Sequence, residues 1–264
     1  MTISLEAHLR ARREAGHKLL VPYVTGGLGD DWLDVLHAVA DAGADAVEIG
    51  IPFSDPVMDG VTIQEASRRA LERGATPAGI VAEIASDDFE VPLAVMTYTN
   101  PVAHMGFRRF AAALAGAGIS GAIVPDLPLD ELDGWGDAAD DAGVETVLLA
   151  APPTPDDRLR AICERSHGFV YGVTLMGVTG ERDHLASQAH EMGERCKAVT
   201  DKPVLLGLGI SNPEQAVEAS RFADGVIVGS ALVSRVLKGG GPDAAHEFVR
   251  ELRVALDQST QPTR

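Results

Sequence analysis

Cysteine is nearly missing from this 264-residue sequence: only Cys163 and Cys196 occur, without CxxC spacing. That excludes a disulfide framework and a cysteine metal cluster, and a reducing cytoplasm fits such usage best. Lysine is almost as scarce, with Lys18, Lys197, Lys202 and Lys238 the complete set. Lys18 and Lys202 fall at the starts of strand candidates, on the wrong face of a barrel for imine formation, so Schiff-base chemistry is disfavoured. The eight histidines are scattered. His184 and His190 are six apart, off one helical face, which disfavours a metal site. No run approaches the ~18 apolar residues that a membrane helix needs. Residues 1–14 carry His8, Arg10, Arg12 and Arg13 with no apolar block behind them, unlike a secretory signal. Basic charge is outnumbered too, 22 against 39 acidic residues, for a net −17. Such a surface argues against nucleic acid and anionic membrane as partners. A phosphorylated substrate would have to be held by backbone N–H groups or a helix end.

What is present is a repeat. Short apolar runs alternate with Ala-rich amphipathic stretches and glycine resets. The runs cover residues 19–24, 46–50, 93–98, 121–125, 146–150, 168–173, 204–208 and 225–229. Helical stretches include 31–41, 107–117, 129–142, 156–165 and 214–220. The runs are apolar throughout, as parallel strands buried on both faces require. Thr154-Pro155 and Asn212-Pro213 each read as a capping side chain before a proline at the first helical position. Eight near-equal units in 264 residues, with no linker between them, predict one (β/α)8 barrel domain spanning 1–264. A doubly wound sheet is the alternative, but Thr25-Gly26-Gly27-Leu28-Gly29 lacks its GxGxxG fingerprint. Two helical additions are expected. Residues 2–14 would plug the barrel's N-terminal end, and the connection between strands two and three holds an extra helix (67–71 and 80–84).

In such barrels the reacting groups lie at the C-terminal ends of the strands. Glu48 lies inside Ala46-Val47-Glu48-Ile49-Gly50, where a carboxylate is costly unless protonated, paired or catalytic. An ion pair in the barrel lining would be the structural explanation, yet cationic partners are scarce, so Glu48 reads as a site acid. The loop Pro52-Phe53-Ser54-Asp55-Pro56-Val57-Met58-Asp59-Gly60 follows. Asp55 before Pro56 is equally a turn residue. Asp59, eleven residues past Glu48 at the same rim, offers a second acid in a different environment, as shared acid and base duties need. Glycine turns end strands six to eight: Gly177-Val178-Thr179-Gly180, Gly207-Leu208-Gly209-Ile210-Ser211 and Gly229-Ser230-Ala231. The last opens onto a helical run, the usual phosphate site of a barrel. What remains is acid–base chemistry on a small phosphate ester, without a metal. The loop 174–184, with two glycines and few apolar anchors, reads as a lid.

These residues also resemble a known family. Glu48-Ile49-Gly50-Ile51-Pro52-Phe53-Ser54-Asp55-Pro56 with Asp59-Gly60 closely resembles the signature of the tryptophan synthase alpha chain. So do Pro22-Tyr23-Val24-Thr25-Gly26-Gly27, Tyr98-Thr99-Asn100-Pro101, Pro125-Asp126-Leu127-Pro128 and the glycine turns after strands six and seven. The resemblance implies retro-aldol cleavage of indole-3-glycerol phosphate to indole and glyceraldehyde 3-phosphate, with no cofactor in this chain. It implies a partner, a pyridoxal-phosphate beta chain in an alpha2beta2 complex that receives indole through a tunnel. By that resemblance Glu48 is the acid–base at indole C3 and the glycerol hydroxyl, and Asp59 holds the indole N–H. Tyr171 matches an active-site tyrosine, while Tyr23 and Tyr98 line the indole pocket. Thr179 belongs to the substrate site, and Gly180, Gly209, Gly229 and Ser230 carry the phosphate. Met58 is bulkier than the small residue expected before the aspartate, and Leu175-Met176 replace a more polar pair. Rival readings are another phosphate-binding barrel enzyme, a non-catalytic allosteric partner of a beta chain, and a free-standing lyase.

Overall fold

Eight apolar runs form eight parallel strands: β1 (Leu19–Thr25), β2 (Val47–Gly50), β3 (Leu93–Met96), β4 (Gly121–Ile123), β5 (Glu145–Ala150), β6 (Val170–Val173), β7 (Val204–Gly207) and β8 (Gly225–Val228). Each pairs with the next, and β8 returns to β1, so the sheet is a closed barrel. The computed structural model describes residues 3–173, 182–207 and 209–260. The (β/α)8 expectation is met, and the alternative of an open doubly wound sheet is excluded.

Helices α1 (Leu5–Glu14), α2 (Trp32–Asp41), α3 (Val61–Glu72), α4 (Pro77–Ala85), α5 (Thr99–Met105) and α6 (Phe107–Gly116) come first. They are followed by α7 (Asp133–Ala142), α8 (Asp156–Arg165), α9 (Arg182–Lys197), α10 (Pro213–Ser220), α11 (Ser230–Leu237) and α12 (Gly241–Ser259). The extra helix between β2 and β3 is present, as α3 plus α4. Helix α5 and the 19-residue α12 are additions that the strand–helix count did not include.

Strand side chains alternate between two apolar compartments. One lies between the sheet and the helices and includes Val47, Ile49, Val95, Ala122 and Val226. The other fills the barrel with Leu19, Val21, Ala46, Ala94, Ile123, Val147, Phe169, Leu205 and Ile227. Helix α1 closes the N-terminal end, with Leu5 and Leu9 fully buried in that inner compartment. Glycines make the space: a Cβ at Gly121 or Gly168 would meet Leu5 Cδ2 at 2.7 and 2.8 Å. The plug is held by Glu145, whose Oε1 accepts from Leu5 N (2.8 Å) and Ser4 Oγ (2.8 Å) while Oε2 accepts from Glu6 N (2.7 Å). A carboxylate thus answers the free N–H groups of the first turn.

Buried Asp45 ties three elements together at the same end. Its carboxylate accepts from Leu20 N (2.8 Å), Arg12 Nε (2.6 Å) and Arg253 Nη1 (3.1 Å). Lys18 donates to Ala223 O, and Lys202 donates to Glu164 O and Ser166 O, so these two lysines serve the barrel bottom. Of the two expected Pro-initiated caps one holds. Asn212 Oδ1 accepts from Gln215 N (3.0 Å) at the start of α10. Thr154 does not cap α8. Its hydroxyl accepts from Ala151 N (3.1 Å) to close the preceding turn, and Pro155 occupies the N-cap position instead.

Candidate active site

The strand phase that fills the barrel also decides what faces its C-terminal mouth. Tyr23 on β1 is the register partner of Glu48 on β2, and both lie in the inward phase. Above the apolar layers the inward positions line a cavity of about 290 Å3. Its wall includes Tyr23, Glu48, Asp59, Tyr171, Gly209, Gly229 and Ser230, so seven of the sequence-selected residues converge on one space. Met96, Leu149, Ile63 and Ile227 supply the apolar wall. These were not selected from sequence, although the inward phase of each strand marks most of them: Leu149, for example, is the register partner of Tyr171. The volume suits a small ligand.

Glu48 is 1% exposed, and its Oε2 has no hydrogen-bond partner. Burial pushes its carboxyl up to about 8, and the nearby Asp59 charge pushes in the same direction. A lining ion pair is therefore not its role. Asp59, on the loop between β2 and α3, is raised to about 6 by burial, with the Tyr98 hydroxyl pulling it back down. Of the two, Glu48 is thus the one pushed further toward its protonated form. Tyr23 and Tyr171 are raised above their ordinary values, first by burial, so both stay protonated.

Two close approaches set these rings. A side chain at Gly50 would collide with the Tyr23 hydroxyl, and a Cβ at Gly207 would lie 2.5 Å from Tyr171 Cε2. Glycine at both strand ends leaves the space that a tyrosine from the neighbouring strand occupies. Tyr98, expected to line the indole pocket, is not in this cavity's wall: its hydroxyl accepts from Met58 N at 3.0 Å and its ring lies 5.3 Å from that of Phe53. Asp55 is exposed and bonded to Ser54 within its own loop (2.6 Å), a turn residue outside the cavity wall.

Opposite the acids, Gly209 has φ +70 and no atom within 4 Å of where a Cβ would stand. Gly229 is the N-cap of α11, with no side chain capping that helix, and Ser230 is its first residue. The unbonded N–H groups of such a start, with the positive end of the helix dipole, suit an anion. Thr179, Gly180, Leu175 and Met176 lie outside the described residues, as does most of the 174–184 segment read as a lid. Among the described residues no three His, Cys, Asp or Glu side chains group as metal ligands. No described helix is long and apolar enough to cross a membrane.

A closed (β/α)8 barrel whose mouth sets two acids of separated acidity against a bare helix start is an enzyme scaffold for acid–base chemistry on an anionic ligand. The chain belongs to the tryptophan synthase alpha chain family, whose profile matches residues 9–261. It is 43% identical over 262 residues to the tryptophan synthase alpha chain of Thermobifida fusca, covering 97% of each chain. It is 44% identical over 257 residues to that of Streptomyces coelicolor, covering 94% of this chain and 93% of the relative. Among solved structures, Mycobacterium tuberculosis tryptophan synthase superposes with TM-score 0.89 at 36% identity, over 97% of this chain and 99% of that one. The alpha chain from Legionella pneumophila gives 0.86 at 30%, over 96% and 97%.

Proposed function

We propose that Glu48 and Asp59 carry out, in this chain, the reaction of its family: retro-aldol cleavage of indole-3-glycerol phosphate to indole and glyceraldehyde 3-phosphate. The chain is a carbon–carbon lyase of tryptophan biosynthesis. The observation that carries the residue assignment is the pair of acids lining one cavity, Glu48 buried with an unbonded Oε2 and Asp59 on the loop beside it.

Indole is a poor leaving group until its C3 carbon is protonated. Neutral Glu48 supplies that proton, and the resulting carboxylate then takes the proton from the glycerol hydroxyl as the carbon–carbon bond breaks. Protonation at C3 places positive charge on the ring nitrogen. Ionised Asp59 stabilises that charge, which exists only in the transition state and the intermediate, where binding accelerates a reaction. Tyr23 and Tyr171, held protonated, pack the heterocycle. Gly209, Gly229 and Ser230 receive the phosphate, and the family resemblance assigns Thr179 and Gly180 to substrate and phosphate as well. None of these steps calls on a cofactor in this chain, and pyridoxal phosphate belongs to the beta chain.

That beta chain is the proposed partner, in a cytoplasmic alpha2beta2 complex. Support comes from the neighbours, which include whole tryptophan synthase, and from the exposed apolar side chains beside the mouth: Val57 (76%), Met58 (45%) and Val61 (81%). Incubating the purified chain with indole-3-glycerol phosphate and measuring released indole tests the reaction. Wild-type protein should release indole, faster once a beta chain is added. Glu48→Gln and Asp59→Asn should each lose at least ~10²-fold in kcat, the scale of a general acid–base group. Full activity in both variants would discard the assignment.

A further inference from the structure

Two motifs, Tyr98-Thr99-Asn100-Pro101 and Pro125-Asp126-Leu127-Pro128, contribute little to the cavity wall: only Pro125 lines it. They meet each other instead. Asp126 follows β4 at the mouth, and its Oδ1 accepts from both Thr99 N (2.8 Å) and Thr99 Oγ1 (3.0 Å). Thr99 is the first residue of α5, so an acid from the neighbouring strand end caps this helix from outside. The N-cap residue of the same helix is Tyr98, which is 3% exposed. Its hydroxyl accepts from Met58 N at 3.0 Å and engages the Asp59 carboxyl.

We infer that Asp126 is a positioning residue for Asp59, acting through Thr99 and Tyr98. The relay crosses three adjacent strand ends, from the loop after β4, through the start of α5 after β3, to the loop after β2. Three hydrogen bonds fix it, two from Thr99 to Asp126 at 2.8 and 3.0 Å and one from Met58 N to the Tyr98 hydroxyl at 3.0 Å. Asp126 pins the first helical residue, the backbone between residues 98 and 99 transmits that position to the Tyr98 ring, and the hydroxyl fixes the backbone at Met58, one residue before Asp59. The loop 52–60 has few other anchors. Val57 and Met58 are exposed, and the N–H groups of Val57 and Asp59 bond within the loop, to Asp55 O and Pro56 O, while from outside it Gln64 Nε2 of α3 donates to Asp59 O at 2.8 Å and leaves the carboxyl to be placed by other contacts. An acid that must face a ring nitrogen loses rate steeply when displaced, up to 10²-fold for about 1 Å. The inference rests on the role proposed above for Asp59.

The test is steady-state indole release by wild type, Asp126→Ala, Asp126→Asn, Tyr98→Phe and the Asp126→Ala/Tyr98→Phe double variant. Asp126→Ala should lower kcat about tenfold while KM stays within about twofold, because orientation and not ground-state binding is lost. Asp126→Asn keeps an Oδ1 acceptor for both Thr99 donors and should recover most of that loss. The double variant should be no slower than Tyr98→Phe alone, since the two residues act in series. Losses that multiply in the double variant, or an unchanged kcat in Asp126→Ala, overturn the inference. If Asp126→Ala does not fold, Thr99→Pro replaces it. Proline suits the first helical position and removes both donors, so the same kcat loss is expected and its absence is equally decisive. A wild-type chain that releases no indole refutes the proposed function itself, a result separate from all of these.

Discussion

At the residue scale the cavity separates two chemically similar carboxyls by their surroundings. Glu48 lies on a strand at the barrel's inner wall with nothing to bond one of its oxygens, whereas Asp59 lies on a loop beside a tyrosine hydroxyl. Burial raises both, and the hydroxyl limits the rise at Asp59, so Glu48 titrates near 8 and Asp59 near 6. Rate should increase as pH rises through about 6, when Asp59 ionises, and decrease through about 8, when Glu48 loses its proton. A bell-shaped kcat/KM profile is expected, its two limbs belonging to the interacting pair. Asp59→Asn should leave residual activity without the acid limb, and Glu48→Gln residual activity without the alkaline one. Both limbs persisting unchanged in the two variants would show that other groups titrate. The place of Glu48 in the cavity wall was legible in the sequence, because a glutamate inside an apolar strand is costly unless protonated, paired or catalytic and cationic partners are scarce here. The place of Tyr98 was not legible. Its motif gives the residue, but the bond of its hydroxyl to Met58 N joins positions 40 residues apart, which the motif alone does not reveal.

At the scale of elements, strand ends shape the cavity as much as side chains do. Gly50 and Gly207 end β2 and β7, and each leaves the space that a tyrosine from the adjacent strand occupies. Gly50→Ala should push the Tyr23 ring away from β2, into the space meant for substrate. KM for indole-3-glycerol phosphate should rise at least several-fold, since even one added methyl is felt in a packed site. Adding Tyr23→Val to Gly50→Ala should recover part of the loss, because the hydroxyl and the ring carbons Cζ and Cε2 that a Cβ at Gly50 would meet are all gone. Failure of that rescue would mean that the methyl acts elsewhere. Apolar runs identified the eight strands because burial on both faces removes polar positions from them. Caps were read less well than extents: α8 covers the expected 156–165 without the expected cap, and α5 was not expected. Asn212 caps its own helix, whereas Thr154 is committed to the preceding turn and α5 is capped from β4. Helix α12 has its period in plain view, with Ala245, Phe248, Val249, Leu252 and Leu256 buried, but it lies past the eighth strand–helix unit and so outside that count.

For the molecule as a whole, the two ends of the barrel do opposite work. The N-terminal end gathers stabilising contacts: Leu5 in its glycine-lined seat, Glu145 on the first turn of α1, and Asp45 joining β1, α1 and α12. Leu5→Ala should cost about 2–5 kcal/mol of stability with the cavity at the other end unaltered. The C-terminal end holds a carboxyl that the fold does not want ionised. The sign follows from proton linkage. Glu48 titrates near its ordinary value of 4.5 when unfolded and near 8 when folded, so between those limits the native state binds the extra proton. Stability therefore falls as pH rises through this window, by about 1.4 kcal/mol per pH unit at most, and levels off above about 8. Glu48→Gln keeps the shape and removes the titration. Its stability advantage over wild type, measured by urea unfolding, should widen from pH 5 to pH 8 to a few kcal/mol and then stay constant. A difference between the two proteins that is flat across this range would mean that Glu48 is not held protonated by burial, and with it would go the reason for assigning the C3 proton to this residue.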